Sequence, residues 1–299
     1  MMGRLISMES VSRHWAIRVG AGFLFLVMVG YAIRSYFLPE LTVVVFLQHA
    51  ESVDWLPATR NPLFEGGRVE FAAHDLVQLG GEDLGEWHEV ATVSFEDEVS
   101  YQVFLARIDA QQNLARYHLL RVEPMAPELH FLTNLRLRSF LDDDTVEVGA
   151  RAPMESVVPD PRYAQRWTEL FTGSYRDELL LLNLITFNES PDILDDEQGV
   201  DADSEEVFDR YKEKAFRVLG RMGAQISQVG SIDSVVVGPD ARKYDTYGFA
   251  HYPSVPAFEV VFTAKERVDA QVHQRAALSA ESSMGYWAKP YDEFRLRPK

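Results

Sequence analysis

The chain has 299 residues, no cysteine and a net charge of −17, with hydrophobic residues at 46% and charged residues at 25%. Those numbers describe a globular chain with room for one large or two ordinary domains, and wholesale disorder is not expected. Disulfides, thiolate metal sites and cysteine nucleophiles are excluded together. So acidic a surface repels phosphate backbones, so no nucleic-acid partner is expected.

The charge is unevenly spread. Residues 1–38 carry Arg4, Arg13, Arg18 and Arg34 against Glu9, a net +3, which leaves the remainder near −20. Within that segment, residues 19–33 (VGAGFLFLVMVGYAI) are an uncharged run of 15. Extended to residues 15–38, with Arg18 and Arg34 near its ends, the run is long enough to span a bilayer, because terminal arginines can snorkel to the headgroups. Trp15, Tyr31 and Tyr36 fall where interfacial aromatics belong, and the arginines before the run favour a cytoplasmic N-terminus. A single-pass inner-membrane anchor with an exported body is therefore expected, the body periplasmic or extracellular. A cleaved signal peptide is the first alternative, although the sequence after the run offers no convincing small-x-small site. A buried core helix is the second.

Beyond the anchor, residues 41–47 (LTVVVFL) form a β-branched run typical of a strand. Residues 68–79 and 87–95 read as strands, 96–108 as a helix and 114–122 as a further strand. In the middle, residues 130–140 are read as another strand. Residues 142–161 resemble a linker, and residues 161–171 a helix with proline in its first turn.

The later part is cleaner. Residues 179–187 (LLLLNLITF) suit a central strand covered on both faces. A helix follows over 204–222, opened by Asp203 with Glu206 three residues on or capped instead by Ser204, and stopped by Gly223. Strands at 225–237 and 244–252, a helix at 255–265 and a closing segment at 285–296 complete a β-α-β-β-α-β unit. Part of it echoes the earlier region. Trp87, Val90, Phe95 and Tyr101 recur at a constant offset of 157 as Tyr244, Tyr247, Tyr252 and Phe258. The offset fails afterwards, where the second unit inserts about ten residues around VHQRAALSA, within the limits of sequence-read boundaries.

The segments LLLLNLITF, FDRYKEKAFRVLGRMGAQI, YDTYGFAHYPSVPAF and HQRAALSAESS resemble the domain-of-unknown-function family 1330, of the dimeric α+β barrel superfamily. The resemblance covers roughly 160–297, with a weak copy over 40–125. It rests on Asn183, Asp245, the Tyr252-Pro253-Ser254 turn with Phe258, and His273-x-Arg275. It implies an α+β architecture in which two ferredoxin-like units close one barrel around a shared cavity. The organisation expected is a tail and anchor over 1–38, a degenerate unit over 39–125, a helix-bearing linker over 126–178 and the family-like unit over 179–299. Three departures matter: this chain is anchored and tandem, and its first unit has no equivalent of His273-x-Arg275. A tandem chain can close the barrel alone, so obligate dimerisation is not implied.

Several residues stand out for chemistry. Asn183 is an amide in an apolar strand and must find a partner, either a ligand or a neighbouring loop. Tyr252 and Asp245 join it as candidate ligand contacts through the resemblance. His251, at a strand end, has the titration range of a general acid or base. His273 and Arg275 could move a proton and clamp a carboxylate, although i and i+2 on one helix face different ways. The bland alternative ties Arg275 to Asp245 or Asp269. No metal site is read: the acidic run 195–206 lacks the glycine and glutamate spacing of a calcium loop. No cofactor is read either, since phosphate-binding and dinucleotide fingerprints are missing and His74, His88 and His118 show no haem spacing.

The expected role is binding a small apolar or carboxylated molecule, or docking a partner protein. The alternatives are a cofactor-free isomerase or monooxygenase using a His/Arg site, and an accessory subunit of a membrane complex. An enzyme would bring His273, Arg275 and Asn183 together on one pocket. A binding module would show an apolar pocket, and an accessory subunit a filled barrel with an exposed apolar patch.

Overall fold

The computed structural model describes residues 41–50, 62–81, 86–153, 157–158, 161–192, 202–238, 244–279 and 283–296. The expected anchor over 15–38 and most of the acidic run 195–206 lie outside the described residues. Among the described residues, no helix is long and apolar enough to cross a membrane.

In chain order, β1 (Leu41–His49), β2 (Arg68–Gly80), β3 (Glu89–Phe95), α1 (Glu98–Ala110) and β4 (Leu114–Pro124) make the first unit. Two helices follow, α2 (Pro127–Ser139) and α3 (Ala164–Thr172). The second unit comprises β5 (Leu179–Ile185), α4 (Ser204–Arg221), β6 (Gln225–Val237) and β7 (Thr246–Tyr252). It ends with α5 (Val255–Thr263), α6 (Lys265–Asp269), α7 (Gln271–Ala277) and β8 (Met284–Pro290).

The strands form one closed antiparallel barrel in the order β1-β3-β2-β8-β5-β7-β6-β4. Within it, the first unit runs β4-β1-β3-β2 and the second β8-β5-β7-β6, the same ferredoxin-like order twice. The two units are joined at β2–β8 and at β4–β6. Every edge strand of one unit is thus paired by the other, and the barrel closes within a single chain.

Local chemistry explains the helix starts. Asp97 caps α1 by accepting from the Ser100 amide at 2.7 Å, and Asp203 caps α4 through the Glu206 amide at 2.8 Å. Ser254 does the same for α5, with proline at its first turn. Gly223 ends α4 at φ +74, a left-handed conformation that costs glycine little. The offset of 157 holds at both ends of the β3/β7 pair and at the starts of α1 and α5. It breaks where α6 and α7 are inserted before β8.

Two expectations are corrected. Residues 130–140 are helical rather than extended, as part of α2. The alternation Leu135-Arg136-Leu137-Arg138 reads as a strand, but Pro127 and Glu128 in the first turn and two arginines in the last suit the ends of a helix. The barrel interior, moreover, is filled rather than hollow. Val44, Phe46, Leu182, Tyr247, Phe249 and Tyr286 belong to one buried cluster drawn from both units. Phe46 of the first unit meets Tyr286 of the second with ring centroids 6.0 Å apart. Burying each such side chain contributes roughly 1.5–3 kcal/mol, so the interior holds the two units together.

Candidate functional site

Strand alternation sends one face of β5 and β7 into the barrel and the other outward. Leu180, Leu182 and Leu184 face in, whereas Leu181, Asn183 and Ile185 line a cavity of about 1300 Å³ outside the barrel. It lies between the outer face of the second sheet and the helices that cover it. Aromatic rings supply much of its wall, with Trp167 stacked on Phe262 at 4.0 Å between centroids and Phe258 beside them.

The floor is built around Asn183. In the register of the sheet it lies opposite Gly248 on β7 and Gly285 on β8. A Cβ at Gly248 would meet no atom within 4 Å, and one at Gly285 would meet the Asn183 Oδ1 only at 3.6 Å. The two glycines therefore leave open space on both sides of a half-buried amide. That amide makes no hydrogen bond to any described residue. Strand-interior glycine is costly unless something must approach the backbone there.

Arg267 on α6 forms the polar pole of the cavity. It is 7% exposed. Its Nη1 donates to the Phe262 carbonyl at 2.9 Å, and with the Gln271 amide oxygen turned toward it the guanidinium donates twice more, at 3.1 and 3.3 Å. The guanidinium carbon lies 4.7 Å from the Phe262 ring centroid and 6.0 Å from that of Tyr211. Among the described residues no carboxylate reaches it. A buried cation without a counter-ion is costly by several kcal/mol, which a cation–π contact of about 2 kcal/mol offsets only in part. Tyr252, also on the wall, is fully buried; burial pushes its hydroxyl above the ordinary tyrosine range, Tyr211 adds to this and Arg267 opposes it.

The residues singled out from sequence separate into two groups. Asn183, Asp245, Tyr252 and Arg275 all line the cavity. Asp245 is structurally engaged, its Oδ2 accepting from the Phe187 amide at 2.8 Å and so tying β5 to the start of β7. Arg275 is exposed on α7, and neither suggested bridge forms, since Asp269 pairs with Lys265 at 2.5 Å. His273, two residues away on the same helix, is absent from the cavity wall, as the i, i+2 geometry requires. His251 points the other way, on the inward-facing side of β7. It sits 3.1 Å from Glu178, whose Oε2 also accepts from the Leu296 amide at 2.7 Å. Burial, with Arg295 nearby, pulls the His251 ring down to about 4, while burial raises Glu178. His251 is therefore neutral near pH 7 and fastens the sheet to the C-terminal segment.

Arg267, Gln271 and the glycine pair escaped the sequence reading. Gly248 and Gly285 flank Asn183 only through the register of the sheet, and the burial of Arg267 depends on the inserted helices, so neither was marked in the sequence. Among the described residues no cluster of His, Asp and Glu could hold a metal ion.

The fold class is a single-chain α+β barrel of eight antiparallel strands. No protein-family model matches the chain and no curated protein matches it. Solved structures similar to it include an RPA0582 protein of unknown function from Rhodopseudomonas palustris, 21% identical over 48% of this chain and 98% of that one, with a TM-score of 0.39. An anthrone oxidase-like protein is 12% identical over 87% of this chain and 96% of its own, with a TM-score of 0.40. A putative monooxygenase from Lactobacillus acidophilus is 9% identical over 83% and 95%, with a TM-score of 0.34.

Proposed function

We propose that this protein binds a small molecule with a flat apolar body and an anionic group, in the cavity outside the second sheet. The observation that carries the reading is Arg267, a buried guanidinium on the cavity wall with no carboxylate within reach among the described residues. An arginine fork matches a carboxylate bidentately, and partial desolvation strengthens that attraction. Trp167, Phe258 and Phe262 offer flat apolar surface, Asn183 an unused amide, and Arg275 is one of several further cations on a wall that also carries carboxylates such as Asp209 and Glu213. Apolar walls with a few convergent polar groups are the ordinary composition of ligand sites.

The test is thermal denaturation of the full chain with aromatic carboxylates of one to three rings and with their neutral amides. Carboxylates should raise the melting temperature more than their amides, and Arg267→Met should erase that difference. Equal effects of acids and amides, or discrimination that survives in the variant, would overturn the reading.

Proton transfer through His273 or His251 gains no support from the cavity, because neither ring lines it. The same proposal includes membership of residues 179–299 in family 1330 and an exported body tethered by residues 15–38, supported by the sequence features described above. Alkaline extraction of membranes, with protease accessibility of the body in intact cells, tests the tether.

A further inference from the structure

Helix α2 is turned inside out. Its inward side carries His130 and Asn134, with Leu137 buried beside them. Asn134 exchanges two hydrogen bonds with Ile226, its Nδ2 donating to the carbonyl at 2.9 Å and its Oδ1 accepting from the amide at 2.9 Å. The His130 Nε2 lies 2.7 Å from the same carbonyl. These bonds to β6 fix the rotation of the helix, and its outward side carries Phe131, Leu132 and Leu135, with Leu129 at the edge where it also lines the cavity; the four are 46–59% exposed. Four large apolar side chains on one helix face form a patch that ordinary surface statistics do not account for.

The charges on this helix are placed as regularly as its leucines. At 3.6 residues per turn, Glu128 projects between Leu132 and Leu135 and Arg136 between Leu132 and Leu129, while Arg138 borders the apolar side beside Phe131. None of the three makes an ion pair with a described residue. Glu128 and Arg138 each lie five positions from Thr133, the midpoint of Pro127–Ser139. Rotating the helix by 180° about an axis through that midpoint therefore brings Glu128 level with Arg138 of a second copy, and the reverse. The leucines meet between these two pairs. A bilayer suits the face less well, because insertion would bury Glu128 among the apolar side chains without a partner.

We propose that α2 is the surface on which two copies of this chain pair, antiparallel about a two-fold axis at Thr133, with Glu128 of each opposite Arg138 of the other. An isologous contact of this kind is self-complementary by construction. It is separate from barrel closure, which this chain achieves alone. A single helix pair lies at the small end of specific interfaces, so the association is weak and concentration-dependent.

The experiment uses sedimentation of the full chain in a mild non-ionic detergent over a range of concentrations, comparing wild type with Glu128→Arg, Arg138→Glu and the double variant. All are surface changes, and circular dichroism verifies the fold of each. The wild type should form dimers reversibly. Each single variant sets two like-charge pairs in place of two attractive ones and should weaken dimerisation by about tenfold or more. The double variant should restore it. Because the chain has no cysteine, Leu132→Cys should also form an inter-chain disulfide, and Val99→Cys on α1 should not. A monomer at every concentration, single variants without effect, or a double variant that does not recover would each overturn the proposal. So would quenching by brominated lipid of a probe on the thiol of the Leu132→Cys variant in a monomeric sample, since that outcome makes a bilayer the occupant.

Discussion

Arg267 lies over the ring of Phe262 and donates to the carbonyl of the same residue, so one phenylalanine holds the guanidinium from its face and from its backbone. The carbonyl belongs to the last turn of α5, whose dipole is negative there and partly compensates the cation. What remains uncompensated points to an anion from outside. Arg267→Met keeps the volume and removes the charge. The empty protein should then be as stable as wild type or more so, by about 1–2 kcal/mol, because an unpaired buried charge is lost. Affinity for aromatic carboxylates should fall by about 10- to 100-fold, the worth of a charge-assisted hydrogen bond. Chemical denaturation and calorimetric titration measure the two effects, which should move in opposite directions. Arg267→Lys should not restore binding fully, since a point charge cannot reproduce the fork.

Gly248 gives a test that leaves the charge alone. Its missing side chain faces open space beside Asn183, and its backbone is not in the left-handed region. Gly248→Val should therefore be accommodated without strain, and should stabilise the strand by up to about 1 kcal/mol through restricted backbone freedom and β preference. The branched side chain would occupy the floor of the cavity. Ligand binding should be lost while the melting temperature holds or rises. A destabilised variant, or one that binds as wild type does, would show that the open floor is not where the ligand rests.

Two inward-facing histidines set the acid limit of the fold. His118, on β4, has neither ring nitrogen hydrogen-bonded, and it packs near Phe46, Trp87 and Tyr244. Burial, with Arg116 nearby, pulls its ring down to about 4, the same level as His251. The unfolded chain takes up these protons near pH 6.5 and the folded chain near pH 4. In that window the unfolded state binds more protons, so stability is complete above pH 6.5 and declines as pH falls toward 4. The loss is on the order of 3 kcal/mol for each ring at the lower limit. Urea denaturation from pH 7.5 to 4.5 should show this slope, and His118→Leu should flatten it by about half.

Much of the architecture was legible in the sequence, and the parts that were not share a cause. The second unit could be read from its periodicities because LLLLNLITF is apolar on both faces and the stripe on residues 204–222 keeps a helical period, whichever unit supplies the neighbours that bury them. The offset of 157 held through β7 and α5 because the first and second units place the same aromatic positions on equivalent strands. Residues 130–140 misled because their orientation is set by Ile226, 92 residues beyond Asn134, and not by local pattern. The cavity was anticipated inside the barrel and lies outside it, since no local signal tells which face of β5 a neighbouring unit will fill. Four of the candidate residues, Asn183, Asp245, Tyr252 and Arg275, nevertheless line its wall. His251 and His273 do not, because side-chain direction alternates along a strand and rotates along a helix.

Asn134 links the interior of the molecule to the outward face of α2, and its removal separates two effects. The side chain copies a strand neighbour, satisfying both the amide and the carbonyl of Ile226 at 2.9 Å. Asn134→Ala leaves the amide of Ile226 without this acceptor, and unsatisfied buried groups cost about 1–3 kcal/mol. His130 still reaches the carbonyl, so the cost should fall near the lower end of that range. The sharper readout is hydrogen exchange: protection of the Ile226 amide should drop much more than that of Ala250, its register partner on β7. Uniform loss of protection would mean that α2 supports the whole barrel rather than one strand. Local loss at Ile226 would mean that the helix is held by its polar side, and that its apolar side is free to be used elsewhere.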